Sequence, residues 1–313
     1  MGTMIQRHQL TEEDFRTPEL ADHPVSLKGN NDLLSLSKPD IIESIHEAYL
    51  AAGSDIIETN TFSSTSVAQA DYNLEHLVYD LNYESARIAK KVALAYSTDE
   101  HPRYVAGSMG PTNRTASLSP DVNRPGFRAI TFEELVETYS EQAKALLDGG
   151  VDILLVETVF DTLNAKAALF AIENVFQSIG KTVPIMVSGT ITDASGRTLS
   201  GQTAQAFLIS VSHVPLLSVG FNCALGADQL MPYVDILNQG AEVLVSAHPN
   251  AGLPNEMGAY DQTPEDFADL LKPYLDKDMI NIIGGCCGTT PDHIEALAKL
   301  SSNYAPRKAT QAV

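Results

Sequence analysis

Seven short apolar runs, most of them rich in Val and Ile, recur along the chain, and a segment with helical periodicity fills each gap. They are SDIIETN from Ser54, RYVAGSMG from Arg103, VDILLVET from Val151, VPIMVSGT from Val183, LLSVGFNC from Leu216, EVLVSAHPN from Glu242 and MINIIGGCCG from Met279. Runs without polar alternation are buried on both faces, as strands of a parallel sheet covered by helices are. The repeat of strand and helix therefore predicts an α/β fold. Two architectures fit: a (β/α)8 TIM barrel or a doubly wound open sheet. The open sheet usually carries a glycine-rich phosphate loop after its first strand, and no GxGxxG occupies such a position, which favours the barrel. Seven visible strands leave the barrel one short, and the absent strand belongs ahead of MGTMIQ. The expectation is a TIM barrel whose first strand is truncated at the N-terminus, unless the barrel is built differently.

Helix boundaries carry local signals. Thr131 with Glu134 forms a capping box, and Thr263 and Thr290 each precede a proline at a first-turn position. Gly53 and the Gly149–Gly150 pair follow helical segments and should supply left-handed caps before the next strand. The two longest irregular stretches, residues 110–128 and 249–263, follow strand C-terminal ends, where barrel enzymes assemble their sites. Residues 1–302 read as one barrel domain, and residues 303–313 as a polar tail or linker with no packing role.

The chain has 40 acidic against 20 basic residues, a formal charge of −20 that repels phosphate backbones and anionic lipid surfaces. Nucleic acid and membrane partners are therefore not expected. No run reaches the roughly 18 apolar residues of a membrane span, and the opening residues lack the apolar stretch of a secretion signal, so a cytoplasmic location is expected. There are 3 cysteines, and the adjacent pair cannot form an unstrained disulfide, which favours reduced thiols.

Cys223, Cys286 and Cys287 all close predicted strands and so fall on one face of the barrel. A lone cysteine is commonly a small buried hydrophobe. Three on one face, two of them vicinal between glycines and a Thr-Thr-Pro turn, point instead to a metal. Structural zinc normally takes four protein ligands, whereas three thiolates leave one position open for water or substrate.

FNCALG around Cys223 and GGCCGTTPDHI around Cys286 and Cys287 resemble the zinc motifs of the homocysteine S-methyltransferase family. Residues 53–62, 107–128 and 151–168 resemble the N-terminal homocysteine-binding domain of cobalamin-dependent methionine synthase, and the likeness runs to about residue 300. The resemblance implies that Zn2+ on the three cysteines activates homocysteine as a thiolate, with methylcobalamin as methyl donor. An alkyl thiol with a pKa near 8.5 is mostly protonated at neutral pH, so metal coordination has a clear chemical task. The resemblance also implies that Glu157 binds the substrate ammonium; an acidic residue on an apolar strand is costly unless paired. Asn60, Ser108 and Asn222 hold comparable strand ends and are candidate substrate contacts, though structural hydrogen bonds would explain them equally well. His248, next to Pro249, reads as a loop-shaping residue.

The family's opening strand ends in an Asp-Gly pair, and only Met1, Gly2 and Thr3 correspond to that region here. Exposed barrel edges and weakened homocysteine affinity are expected to follow. The cobalamin- and folate-binding modules of methionine synthase would be partners outside these 313 residues. The alternatives are a free-standing methyltransferase using betaine or S-methylmethionine, and a zinc-binding protein without turnover.

Overall fold

The computed structural model describes residues 1–192, 195–256 and 258–308. All seven expected strands form: β1 (Ile56–Glu58), β2 (Tyr104–Met109), β3 (Ile153–Val159), β4 (Ile185–Gly189), β5 (Ser218–Gly226), β6 (Leu244–Asn250) and β7 (Ile282–Ile283). They pair in parallel in sequence order from β1 to β7, the curled sheet of a TIM-like barrel. The helices are α1 (Gly2–Ile5), α2 (Leu34–Ser37), α3 (Pro39–Ala51), α4 (Ser66–Gln69), α5 (Val78–Tyr96), α6 (Phe132–Asp148), α7 (Thr162–Ile179), α8 (Ala204–Val211), α9 (Ala227–Gly240), α10 (Pro264–Asp276) and α11 (Pro291–Ser301). None of the described helices is long and apolar enough to cross a membrane.

Side-chain alternation divides two cores. Leu154 and Val156 of β3 join Val105, Val187, Val219 and Val245 in the layer between sheet and helices. Ile153 and Leu155 point the other way and meet Ala106 and Met186 on the floor of the barrel lumen, with Ile56, Leu217 and Ile282 packed against them. Burial on both faces is what the unbroken apolar runs required.

The caps follow the sequence signals. The Thr131 hydroxyl accepts from the Glu134 amide at 3.2 Å while the Thr131 amide donates to Glu134 at 2.8 Å. Of the paired glycines after α6, Gly150 alone takes the left-handed conformation, at φ +95°. Gly149 stays right-handed, and a Cβ there would stand 2.6 Å from that of Ala86, so it is needed for close helix packing instead.

β1 and β7 are the sheet edges and do not pair with each other. Their seam is not bare, contrary to the exposed edges expected above. Helix α3 packs on α11 across it, the Tyr49 hydroxyl donates to the Thr289 carbonyl at 3.0 Å, and the Gly288 amide donates to Thr3 Oγ at 3.1 Å. The helical layer is thus continuous where the sheet is open.

The start of the predicted tail has a packing role. The Tyr304 hydroxyl donates to Asp276 at 2.7 Å, and Arg307 is only 4% exposed. Its guanidinium donates to Asn238 Oδ1 at 2.8 Å and to the carbonyls of Asn238, Ala241 and Val243 at 2.7 to 3.1 Å. The Asn238 and Ala241 carbonyls lie at the C-terminal end of α9, whose last turn contains no basic residue of its own, and the Val243 carbonyl lies just before β6. Residues 309–313 of the tail lie outside the described residues.

Candidate metal and substrate site

The three cysteines come together. Their sulfurs all lie within 4.8 Å of one another, a group able to hold a metal ion, and Cys223 Sγ is 3.7 Å from Cys287 Sγ. All three are free thiols, each partly buried. Cys223 sits where the β5–β6 register breaks between Asn222 and Gly226, and there Cys223 and Ala224 take φ values of +63° and +60°. Non-glycine residues seldom adopt this conformation, and here it re-aims the chain at the strand mouth. Cys286 and Cys287 lie beyond the short β7, in the turn before α11. The Cys286 amide donates to the Pro249 carbonyl at 2.9 Å and the Cys287 amide to Asn250 Oδ1 at 3.1 Å, so β6 fixes the turn.

Thiols this close cannot all ionise without a cation. Hydrogen bonding with Cys223 and Cys287, reinforced by burial, pushes the Cys286 thiol well above its ordinary range. The Tyr260 hydroxyl, from the loop after β6, is within hydrogen-bonding reach of Cys287; burial pushes that phenol up to about 12.

Asn222 links the thiols to Glu157. Its Oδ1 accepts from the Thr158 amide at 3.0 Å and from Ser188 Oγ at 2.7 Å. Its Nδ2 donates to Thr158 Oγ at 2.8 Å and points toward Cys286 Sγ at 3.9 Å. Thr158 is β-branched yet sits at φ +53°, a strained conformation that persists because Asn222 grips both its amide and its hydroxyl. The β3–β4 register breaks at the same place, between Val156 and Val159.

Glu157 points into the lumen and accepts from Ser108 Oγ at 2.5 Å. Burial, with repulsion from Glu58, pushes its carboxyl up to about 8. Glu58 keeps a water-accessible surface, but the barrel wall removes enough bulk water to raise its carboxyl as well. Sequence reasoning passed over Glu58, although SDIIETN holds an acidic residue on an apolar strand just as VDILLVET does.

The other expected residues part company. Ser108 contributes by orienting Glu157. Asn60 is drawn away: its Nδ2 donates to the Asn31 carbonyl at 2.8 Å and reaches Ser35 Oγ at 3.3 Å, tying β1 to the N-terminal segment. His248 and Pro249 lie inside β6, not in a loop, which corrects the loop-shaping role. The imidazole packs over Gly284, where a Cβ would come within 2.7 Å of the ring, and burial pushes its pKa down to about 4.

Glu157 predicts a pH dependence in the substrate-free protein. A carboxyl at about 8 when folded, against an ordinary 4.5, holds an extra proton in the folded state between those values. Its contribution to stability is present at the acid end and is lost as pH rises through that window. Glu157→Gln should flatten the fall, giving a melting temperature a few degrees above wild type at the alkaline end and little difference at the acid end. Paired thermal melts across the window check this; parallel curves would contradict it.

A parallel α/β barrel with a thiol cluster and polar groups at its C-terminal mouth defines an enzyme of the TIM-barrel class. The homocysteine S-methyltransferase family model matches residues 1–301, and the chain belongs to that family of methyltransferases. Among solved structures, it is similar to the metallated form of the homocysteine methyltransferase MmuM from Escherichia coli, with TM-score 0.72 and 23% identity over 96% of this chain and 93% of the other. The apo form of MmuM matches over the same shares with TM-score 0.67 and 20% identity. A B12-independent methionine synthase from Shewanella sp. W3-18-1, in complex with selenomethionine, matches with TM-score 0.50 and 15% identity over 90% and 91%.

Proposed function

We propose that this chain activates homocysteine as a thiolate for methyl transfer, using zinc held by Cys223, Cys286 and Cys287, and that methylcobalamin carried by another module supplies the methyl group to give methionine. The observation that carries this reading is the convergence of three thiol sulfurs within 4.8 Å at the mouth of the barrel, in a chain of this family. The donor set suits zinc: soft sulfur ligands, too few for a closed structural site. Bound there, zinc would act as a Lewis acid that keeps a substrate thiol deprotonated at neutral pH while the surrounding thiolates keep its sulfur electron-rich.

The protein's own groups bind and orient. Glu157 receives the substrate ammonium, and Ser108 holds that carboxylate in place by donating to it. Asn222, through Thr158 on one side and Cys286 on the other, sets the spacing between the ammonium site and the thiols. The loops after β2 and β6 border the mouth where a methyl donor must arrive. The cobalamin- and folate-binding modules of methionine synthase are the proposed partners, and the three free thiols suit a reducing, cytoplasmic setting.

The test is methionine formation by zinc-reconstituted protein offered methylcobalamin, betaine or S-methylmethionine, with and without homocysteine. Homocysteine-dependent turnover with methylcobalamin supports the reading. Turnover with betaine or S-methylmethionine instead would reassign the donor, zinc uptake without any turnover would leave a binding protein, and no zinc uptake by reduced protein would sink the proposal.

A further inference from the structure

Glu58 is the lumen carboxylate with no assigned task. On β1, Ile56 packs at the lumen floor, so alternation puts Glu58 on the same inner face one level nearer the mouth. Glu58 lies opposite Ala106 of β2, and two residues further along β2 Ser108 donates to Glu157 of β3. Three neighbouring strands thus set a carboxylate, a hydroxyl and a second carboxylate side by side.

Glu157 has donors in Ser108 and, at 3.4 Å, Thr158. Glu58 makes no side-chain hydrogen bond or ion pair among the described residues. The charged groups acting on the pair are each other and, attractively, the amino group of Met1, which makes no ion pair with either. Glu157 is buried without a cation, which is costly, and the open-sided Glu58 on the same inner face adds repulsion to that cost.

The same lumen has other unfilled polar positions. Ser218 and Ser246, 0% and 1% exposed, lack a hydrogen-bond partner for their hydroxyls among the described residues. Both occupy inward positions, in register with Asn222 and His248, and a Cβ added to Gly220 would meet Ser246 Oγ at 2.0 Å, so that hydroxyl projects over the lumen. The inner wall below the thiols therefore carries two hydroxyls, closed off from solvent, that lack a partner among the described residues.

We infer that Glu58 is a substrate-binding residue: with Glu157 it clamps the protonated amine of the substrate and makes the site selective for amino-thiols over thiols that lack the amine. This rests on the homocysteine reading above. A primary ammonium has three N–H donors and one positive charge, so it can bond to both carboxylates and relieve their repulsion together. A thiol-acid without the amine would leave both carboxylates unpaired, and a site built for a substrate N–H rejects an analogue lacking it.

The experiment measures, by calorimetry on this chain reconstituted with zinc, the Kd for L-homocysteine and for γ-sulfanylbutanoate, the same molecule without its amine. Wild type should bind homocysteine at least about 100-fold more tightly than the analogue. Glu58→Gln should bind homocysteine about 10- to 100-fold more weakly, the scale of a lost charge-assisted bond, with zinc content unchanged. The analogue should bind the variant as well as wild type or better, a pattern that a merely structural role would not produce. Glu58→Asp, which keeps the charge on a shorter arm, should fall between and covers the case where Gln disturbs folding. Wild-type homocysteine affinity in Glu58→Gln and Glu58→Asp, alongside weakened binding in Glu157→Gln, would overturn the role of Glu58 and leave the homocysteine reading standing. If zinc-loaded wild type binds no homocysteine, the reading itself fails.

Discussion

Cys286→Ala is expected to lose its metal and its methyl transfer together while remaining folded. Removing one of three thiols leaves two sulfur ligands, a set that cannot hold zinc against water and buffer. Metal content should fall from about one per chain to under about a tenth, and turnover by about a thousandfold or more. Stability measured on metal-free protein should change by only about 1 kcal/mol, because a partly buried thiol is replaced by a methyl group. The cluster must act as a unit for this to hold: Cys223 and Cys287 sit 3.7 Å apart, and Cys286 shares their protons. Elemental analysis with parallel assays on all three single variants checks it. A variant that keeps stoichiometric metal would remove that cysteine from the ligand set.

The largest effect on folding is expected far from that site, at Arg307. The guanidinium bonds to Asn238 Oδ1 and to three backbone carbonyls at the end of α9 and the start of β6. Arg307→Ala would leave those acceptors buried and unpaired at the negative end of a helix, at a cost of about 3 kcal/mol. For a chain of this size that corresponds to a fall in melting temperature of about 5 °C. Arg307→Lys should recover only part of it, since one ammonium cannot replace a planar fork that reaches several acceptors. Homocysteine affinity below the transition should be unchanged, because the anchor holds the outside of the barrel. Thermal melts and calorimetry on both variants decide the matter, and an unchanged melting temperature for Arg307→Ala would show that the tail is held elsewhere.

The two predictions also mark what could be read from the chain. The Cys286 result follows from the strand-end positions of Cys223 and the GGCC pair, since strand-end thiols in a β/α repeat fall on one face wherever the strands pair. Arg307 could not be found that way: in PRKATQAV it looks like tail, and only the arrival of α9, 69 residues earlier in sequence, gives the guanidinium its acceptors. Glu157 drew attention as an acid on an apolar strand, but Glu58 on the same pattern did not. Unbroken apolar runs are buried on both faces, so they carry no mark of which residues look into the lumen. Asn60 shows the same limit from the other side. Its strand-end position suggested a substrate contact, and the N-terminal segment took its amide instead.

By itself the sequence determined the seven strands, their parallel order, the capped helices between them and the meeting of three cysteines at one end. Periodicity, caps and strand-end position act within a few residues, so they survive being read one segment at a time. Only the tertiary structure decided that the helical layer covers the open seam, that Asn222 and Cys286 approach across 64 residues, and that two carboxylates share one lumen. Register breaks at Val156 to Val159 and Asn222 to Gly226 fix those placements. Such breaks are settled by the neighbouring strand's hydrogen bonds, which no local pattern encodes.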